Sequence, residues 1–331
     1  MLTAVVAIAL LLGAWAWWPA RAARAPAPIP RELAILPFES ADGGSDGADL
    51  AHLVQLNLDN LPGLSLTSAR RVNRWWDRRD RAPMAGEKAE AARELRAHWV
   101  THGVVERQGD SLRVRVTLYE GGGRVTPLPE LRSHQADLGG LSDSLALTLV
   151  RSIAPELAGS YRVIGDLGGV PLPALRQFLQ GDAAFQRDQW ARAEQHFEAA
   201  LALDSGFALA AWRLANARTL RRVPAEDLQP LYQRPGARLR PLDALLIAAL
   251  REPNLTDRLR HLEQAVTRFP EDAYARLLYA EEVFHRGPLV GGRLEDGVQA
   301  MSGAIAQDSL LALAYDHLVC ASIRGGERDR A

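Results

Sequence analysis

The sequence predicts a small α/β domain with a mixed sheet, followed by an all-α array of paired helices. Three observations carry this reading. Short apolar runs alternate with helical stripes over residues 31–161. An alanine-rich helical signature then returns several times over residues 172–331. Ahead of both stand a wholly apolar run and a proline-rich spacer.

The totals bound the function. The chain has 331 residues, 47% hydrophobic and 24% charged, which is ordinary for a folded protein. Its net charge of −1 gives no global attraction to nucleic acid or acidic lipid. With Cys320 as its one cysteine, it has no internal disulfide framework and no zinc site built from cysteines.

Residues 2–18, "LTAVVAIALLLGAWAWW", carry no charge. At the helical rise they span about 25 Å, near the lower limit for crossing a bilayer. Trp15, Trp17 and Trp18 gather at one end, as in an interfacial aromatic belt. A cleaved signal peptide is the alternative, with "ARA" twice over residues 20–25. No basic segment precedes the run and Pro26 follows the second "ARA", which favours an anchor. The spacer at residues 19–30 alternates proline with alanine and arginine, an extended linker. Arg21, Arg24 and Arg31 follow the segment, so the positive-inside rule alone keeps the carboxyl side cytoplasmic.

Residues 31–161 read β-α-β-α-β-β-α, with a further strand near Leu131. "ELAILPF", residues 32–38, is a buried strand stopped by proline. "ADLAHLVQLNLDNL" carries a helical stripe that ends before Pro62 and Gly63. "LSLTS" is a strand and "GEKAEAARELRA" a helix. From His98 to Glu120 the chain reads as a hairpin turning at Gln108–Asp110. Leu112, Val114, Val116 and Leu118 mark the buried face of its second strand. "LGGLSDSLALTLVRSIA" closes with a helix capped by Ser142 or Asp143.

On "LAILPFESADGG…" and "ARELRAHWVTHGVVERQGDSLRVRVTLYE", residues 32–153 resemble the TolB amino-terminal-like domain of bacterial membrane-linked proteins. Such domains often precede tetratricopeptide repeats. In some relatives a serine/threonine kinase, an adenylate cyclase or a winged-helix regulator precedes the membrane segment. The resemblance implies no catalytic residue here. It also implies a folded part outside the cytoplasm, against the arginine count.

Residues 173–205, "PALRQFLQGDAAFQRDQWARAEQHFEAALALDS", resemble one tetratricopeptide (TPR) repeat, a pair of helices of about 34 residues. Gly181, Ala193 and Ala200 stand where two helices cross closely, with Phe197 packing between them. The usual closing proline is Ser205 here. The second-helix signature recurs with Ala265 and Pro270, and again with Ala304 and Ser309. Spacings of 65 and 39 residues between Ala200, Ala265 and Ala304 are uneven, so three to four units are expected, two of them degenerate. A TPR-like solenoid of this kind stacks into a superhelix whose concave face takes a peptide. The last helix has no following partner, which points to a longer array or to a homo-oligomer through that helix.

Candidate chemistry is sparse. "GGSDG", residues 43–47, matches G-x-S-x-G, but a loose acidic loop parts Ser45 from the strand. His98 and His102 lie four apart, about 13 Å on a strand and too far for one ion. Six arginines and two tryptophans fill residues 70–81, a basic stretch that binds nucleic acid or acidic lipid, or else a solvated loop with a tryptophan tucked in and local pairs to Asp77 and Asp80. Near-neutral overall charge favours the second. "EGGGR" and "GDLGGV" open no helix and read as turns rather than phosphate loops. The expectation is a membrane-anchored, non-enzymatic scaffolding or sensory protein with a protein partner and no cofactor or metal. A Ser45 hydrolase, or lipid or nucleic-acid binding through residues 70–81, is the alternative.

Overall fold

A computed structural model describes residues 32–324, apart from 60, 62, 80–82, 160–166, 168, 234–236, 238, 271 and 308–311. The expected membrane segment and linker lie outside the described residues, as do Asp80, Arg81 and Ser309. Among the described residues no helix is long and apolar enough to cross a membrane.

The amino-terminal part is built on a mixed seven-stranded sheet. Its strands are β1 (Glu32–Ile35), β2 (Glu39–Ser40), β3 (Ser65–Leu66), β4 (Trp99–Gln108), β5 (Ser111–Glu120), β6 (Val125–Pro127) and β7 (Leu131–His134). The main path runs β3-β1-β4-β5-β6. β4 carries β1 and β2 in parallel along one edge, and β5 carries β6 and β7 antiparallel along its own. Pro37 lies between β1 and β2, where a residue without an N–H interrupts the ladder.

Four helices cover both faces: α1 (Asp46–Leu58), α2 (Ala69–Asp77), α3 (Ala85–Glu94) and α4 (Leu138–Ile153). Leu33 and Ile35 belong to the core with α1 and α4. Ala34 and Leu36 belong to the opposite core with Val72, Trp75, Ala91 and Leu95. A strand buried on both faces reads as a continuous apolar run, which is why "LAIL" shows no alternation. In β5 the expected residues Leu112, Val114, Val116 and Leu118 are all buried, and Tyr119 is buried on the other side.

Two local expectations change. Residues 69–77 form helix α2 rather than a solvated loop. Only Val72 and Trp75 of that helix are buried, a stripe too narrow to stand out among the arginines. The cap of α4 is Asp137, whose side chain accepts from the Gly140 N–H at 3.0 Å. Ser142 instead donates to the Gly139 carbonyl and accepts from Asn57, joining α1 to α4.

The carboxyl-terminal part is helical: α5 (Leu172–Phe185), α6 (Trp190–Leu203), α7 (Ala208–Leu220), α8 (Gln229–Tyr232), α9 (Pro241–Arg251), α10 (Leu255–Arg268), α11 (Ala273–Arg286), α12 (Leu294–Gln307) and α13 (Ala312–Arg324). Neighbours in sequence pack as α5/α6, α9/α10 and α11/α12, with α13 against α12. The partner of α7 is reduced to the four-residue α8 and a short 3-10 turn, because the proline-rich stretch from 224 to 241 starves a longer helix of donors. These pairs are compatible with TPR-like repeats.

A Cβ built on Gly181 would lie 2.7 Å from the ring of Phe197, so α5 and α6 meet where a side chain is missing. Ala193, Phe197, Ala200, Ala265 and Ala304 are fully buried, whereas Pro270 stands exposed in the turn after α10. A second close crossing joins α11 to α12, where a Cβ on Gly297 would sit 2.6 Å from Cα of Phe284.

One apolar core runs without a break from Leu33 in β1 to Ala275 in α11. A separate cluster holds Leu277, Phe284, Met301, Ala304 and Ala314 at the far end. The α/β domain is therefore packed against the helices rather than tethered beside them.

Candidate binding site between the sheet domain and the helix pairs

The first helix of each successive pair contributes a polar residue to one shared hollow. Asp182 comes from α5 and Arg213 from α7. Arg240 stands at the cap of α9 with Asp243 in its first turn, and Asp272 caps α11. The position moves along the helix from pair to pair, from the last turn of α5 through the middle of α7 to the amino-terminal ends of α9 and α11, so the row crosses the helices obliquely. The facing wall is α1, with His52 and Gln55 and with Asp59 at its carboxyl-terminal cap, together with Ser68 to Arg71 at the start of α2. The hollow measures about 340 Å³.

Its walls hold paired buried charges. Asp182 and Asp243 are almost wholly inaccessible, as are Arg213 and Arg240. Nε2 of His52 lies 2.8 Å from Oδ2 of Asp182. Nη2 of Arg240 donates to Asp243 at 3.1 Å, and the Trp212 indole N–H donates to the same carboxylate at 3.0 Å. Burial alone would raise the Asp182 carboxyl, but Arg213 and His52 outweigh it and hold the group well below the usual range. Burial acts likewise on Asp243 and is outweighed by Arg240, Arg213 and Trp212. Burial pushes Asp59 up to about 7 against the pull of Arg240, and it raises Asp272 despite the hydrogen bond from Ala275. Arg213 and Arg240 are matched by the ionised Asp182 and Asp243, while Asp59 and Asp272 lean toward neutrality. Arg70, Arg71 and Arg96 also line the walls against the single carboxylate of Glu32, so the hollow favours an anionic or accepting group.

Two buried atoms retain spare capacity. Nε of Arg213 and Oδ1 of Asp182 stand 3.4 Å apart, yet neither makes a hydrogen bond. Unsatisfied buried polar atoms are uncommon and mark where a further partner fits.

Beyond the pairs within the hollow, further ion pairs fasten the domain to the helices. Arg176 of α5 reaches Asp46 at 2.5 Å, and the same carboxylate binds Arg107 of β4. Arg70 meets Asp188 at 2.6 Å, and Arg187 meets Asp77 at 3.4 Å.

The other sequence candidates are separated from the hollow by the fold. Ser45 sits at the cap of α1 and donates to Asp49 at 2.8 Å, so its hydroxyl meets a carboxylate of its own helix. His102 is buried in β4 beside Glu39, stacked on Trp76, and burial with the Lys88 ammonium pushes its imidazole down to about 4. His98 packs edge-on against Trp99. The basic stretch is largely spent on internal contacts. Trp75 is buried and donates to Glu94, Arg79 lies 3.6 Å over its ring, Arg71 meets Glu32, and Asp77 pairs with Arg187 rather than locally.

The row of polar residues in the hollow was missed from the sequence. Gly181 and Asp182 are adjacent, and the glycine was the stronger signal. Buried aspartates and arginines a whole repeat apart carry no local pattern.

Fold and site together define a class: a mixed α/β domain packed on helical repeat pairs, with a charge-lined hollow at their junction. The solved structure of YrrB, described as a TPR protein with an unusual peptide-binding site, is similar over 47% of this chain and 80% of its own, at 18% identity and a TM-score of 0.28. No family's sequence profile matches the chain, and no curated protein matches it.

Proposed function

We propose that the chain is a non-enzymatic binding protein whose helix pairs hold a peptide, with an acidic side chain entering the hollow. The observation that carries this is the pair of buried arginines, Arg213 and Arg240, in a hollow of about 340 Å³. That volume admits a side chain or two rather than a whole peptide, so the rest of the ligand lies along the helices. The α/β domain forms the opposite wall, which makes it part of the receptor. Anchoring through residues 2–18, a TolB amino-terminal-like identity for the domain, a superhelical TPR solenoid and a folded part outside the cytoplasm complete the proposal. Its supports are the apolar run with its tryptophan belt and the "ILPF" and hairpin stretches.

Selection of peptides from a displayed library on the purified full chain in detergent tests the reading. Acidic peptides are expected, and Gln186→Trp, at a residue that lines the hollow just past α5, is expected to fill it and to weaken them about tenfold while the thermal midpoint holds. Selected peptides indifferent to that change would contradict the site. Turnover of an ester substrate abolished by Ser45→Ala would replace the reading with a hydrolase.

A further inference from the structure

The far end of the helical part holds a cluster that the hollow does not use. Glu281 and His285 are four residues apart on α11 and so share one face. His317 reaches the same point from α13. The Nε2 atoms of the two histidines lie 2.9 Å apart. Nε2 of His317 is 3.2 Å from Oε1 of Glu281, and Nε2 of His285 is 3.6 Å from Oε2. One ligand atom from each residue falls within 4.8 Å of the others.

Those separations have a chemical meaning. With metal–ligand bonds of 2.0–2.1 Å in tetrahedral geometry, ligand atoms stand about 3.3 Å apart. The histidine nitrogens, 2.9 Å apart, and the nearer carboxylate oxygen, 3.2 Å from His317, stand close to that value, and since the two imidazoles face different oxygens of Glu281, a turn of its carboxylate brings one oxygen to both. A neutral histidine pair joined by one N–H···N hydrogen bond accounts for the two rings alone. It leaves Oε1 of Glu281 buried and without a hydrogen bond. Phe284 packs edge-on against both imidazoles, at 5.1 and 5.4 Å between ring centres, and holds their planes. Gly297 lets α12 approach the Phe284 backbone closely, since a Cβ there would lie 2.6 Å from its Cα.

We propose that Glu281, His285 and His317 bind one divalent transition-metal ion of the zinc type, clasping α13 to α11. Two imidazole nitrogens and one carboxylate oxygen suit zinc, whereas calcium and magnesium ask for oxygen ligands throughout. Half of the His285 side chain is exposed, so the fourth position opens to water or to an outside ligand. The neighbouring Glu282 is engaged by Arg258 and Arg286 and leaves Glu281 as the charge at the site. The ion joins two helices that are separated in sequence by α12.

The test uses the untagged full chain in mild detergent, stripped with chelator, in a Cys320→Ser background that removes the exposed thiol. Calorimetric titration with zinc should give one ion per chain, and the thermal midpoint should rise on binding. His285→Ala and His317→Ala should each weaken binding about a hundredfold, and Glu281→Gln about tenfold. Cobalt in the His285→Cys variant should gain a thiolate charge-transfer band, a direct sign that position 285 is a ligand even if alanine variants are unstable. No saturable binding at one ion per chain, or binding unchanged in both histidine variants, or no thiolate band in a cobalt-loaded His285→Cys protein, would overturn the proposal.

Discussion

Nε2 of His52 lies 2.8 Å from Oδ2 of Asp182, and 130 positions separate the two residues in the chain. The histidine belongs to the sheet domain and the aspartate to the first helix pair. Asp182 also faces Arg213 at 3.4 Å. Replacing Asp182 with alanine strands a buried guanidinium, and the expected loss is about 3–5 kcal/mol. Replacing His52 removes one bond to a charged group, at about 1.5–3 kcal/mol. Denaturant unfolding of both variants and the double variant checks this. The double variant should fall short of the sum, because the residues share one network.

The two glycine crossings give a second expectation. Gly181→Ala forces a methyl against Phe197, with a cost of about 1–3 kcal/mol. Phe197→Leu in the same chain should return part of that stability, since the obstructing atoms belong to its ring. Gly297→Ala should cost at least as much without such rescue, because the obstruction at 2.6 Å is the Phe284 backbone. Thermal unfolding of the three variants separates the cases.

Stability against pH should reflect opposed titrations. Asp59 sits at about 7 in the folded chain, above the usual carboxyl value, so the folded state gains a proton first as pH falls. Its contribution therefore grows from pH 7 toward 4 and declines on the way back up. Asp143, raised by burial to about 6, acts in the same sense. His102 is lowered to about 4, so the unfolded chain gains that proton first and the contribution is lost between about 6.5 and 4. In Asp59→Asn the thermal midpoint should drop from pH 7 to 5 more than in the parent. In His102→Gln it should rise relative to the parent over the same interval. Identical slopes in all three proteins would remove this account.

The basic stretch should behave as structure rather than as a polyanion surface. Arg79 covers Trp75, and both engage Glu94. Trp75→Ala is expected to cost about 3–5 kcal/mol as a large buried aromatic. Retention on heparin should be weak at physiological salt, and strong salt-dependent retention would favour the nucleic-acid or lipid reading.

The sequence by itself determined the division of labour. Alternation in β5, the proline after β1 and the small residues Gly181, Ala193 and Ala200 are short-range signals, because strand pleat is set by adjacent residues and the α5/α6 crossing by two helices that follow directly in the chain. Helix α2 escaped, since Val72 and Trp75 are two apolar positions among many arginines. The cap of α4 went to Asp137 rather than to Ser142 or Asp143, a shift of one turn within a run of plausible caps. Only the tertiary structure brought His52 to Asp182, lined Arg213 beside Arg240, and set His317 against Glu281, where the sequence reading expected no metal. Each of those meetings depends on how whole helices stack. The free energy that fixes the stacking comes from the core running from Leu33 to Ala275 and, for α11 to α13, from the separate cluster around Phe284 and Met301, not from any pattern in the residues that meet.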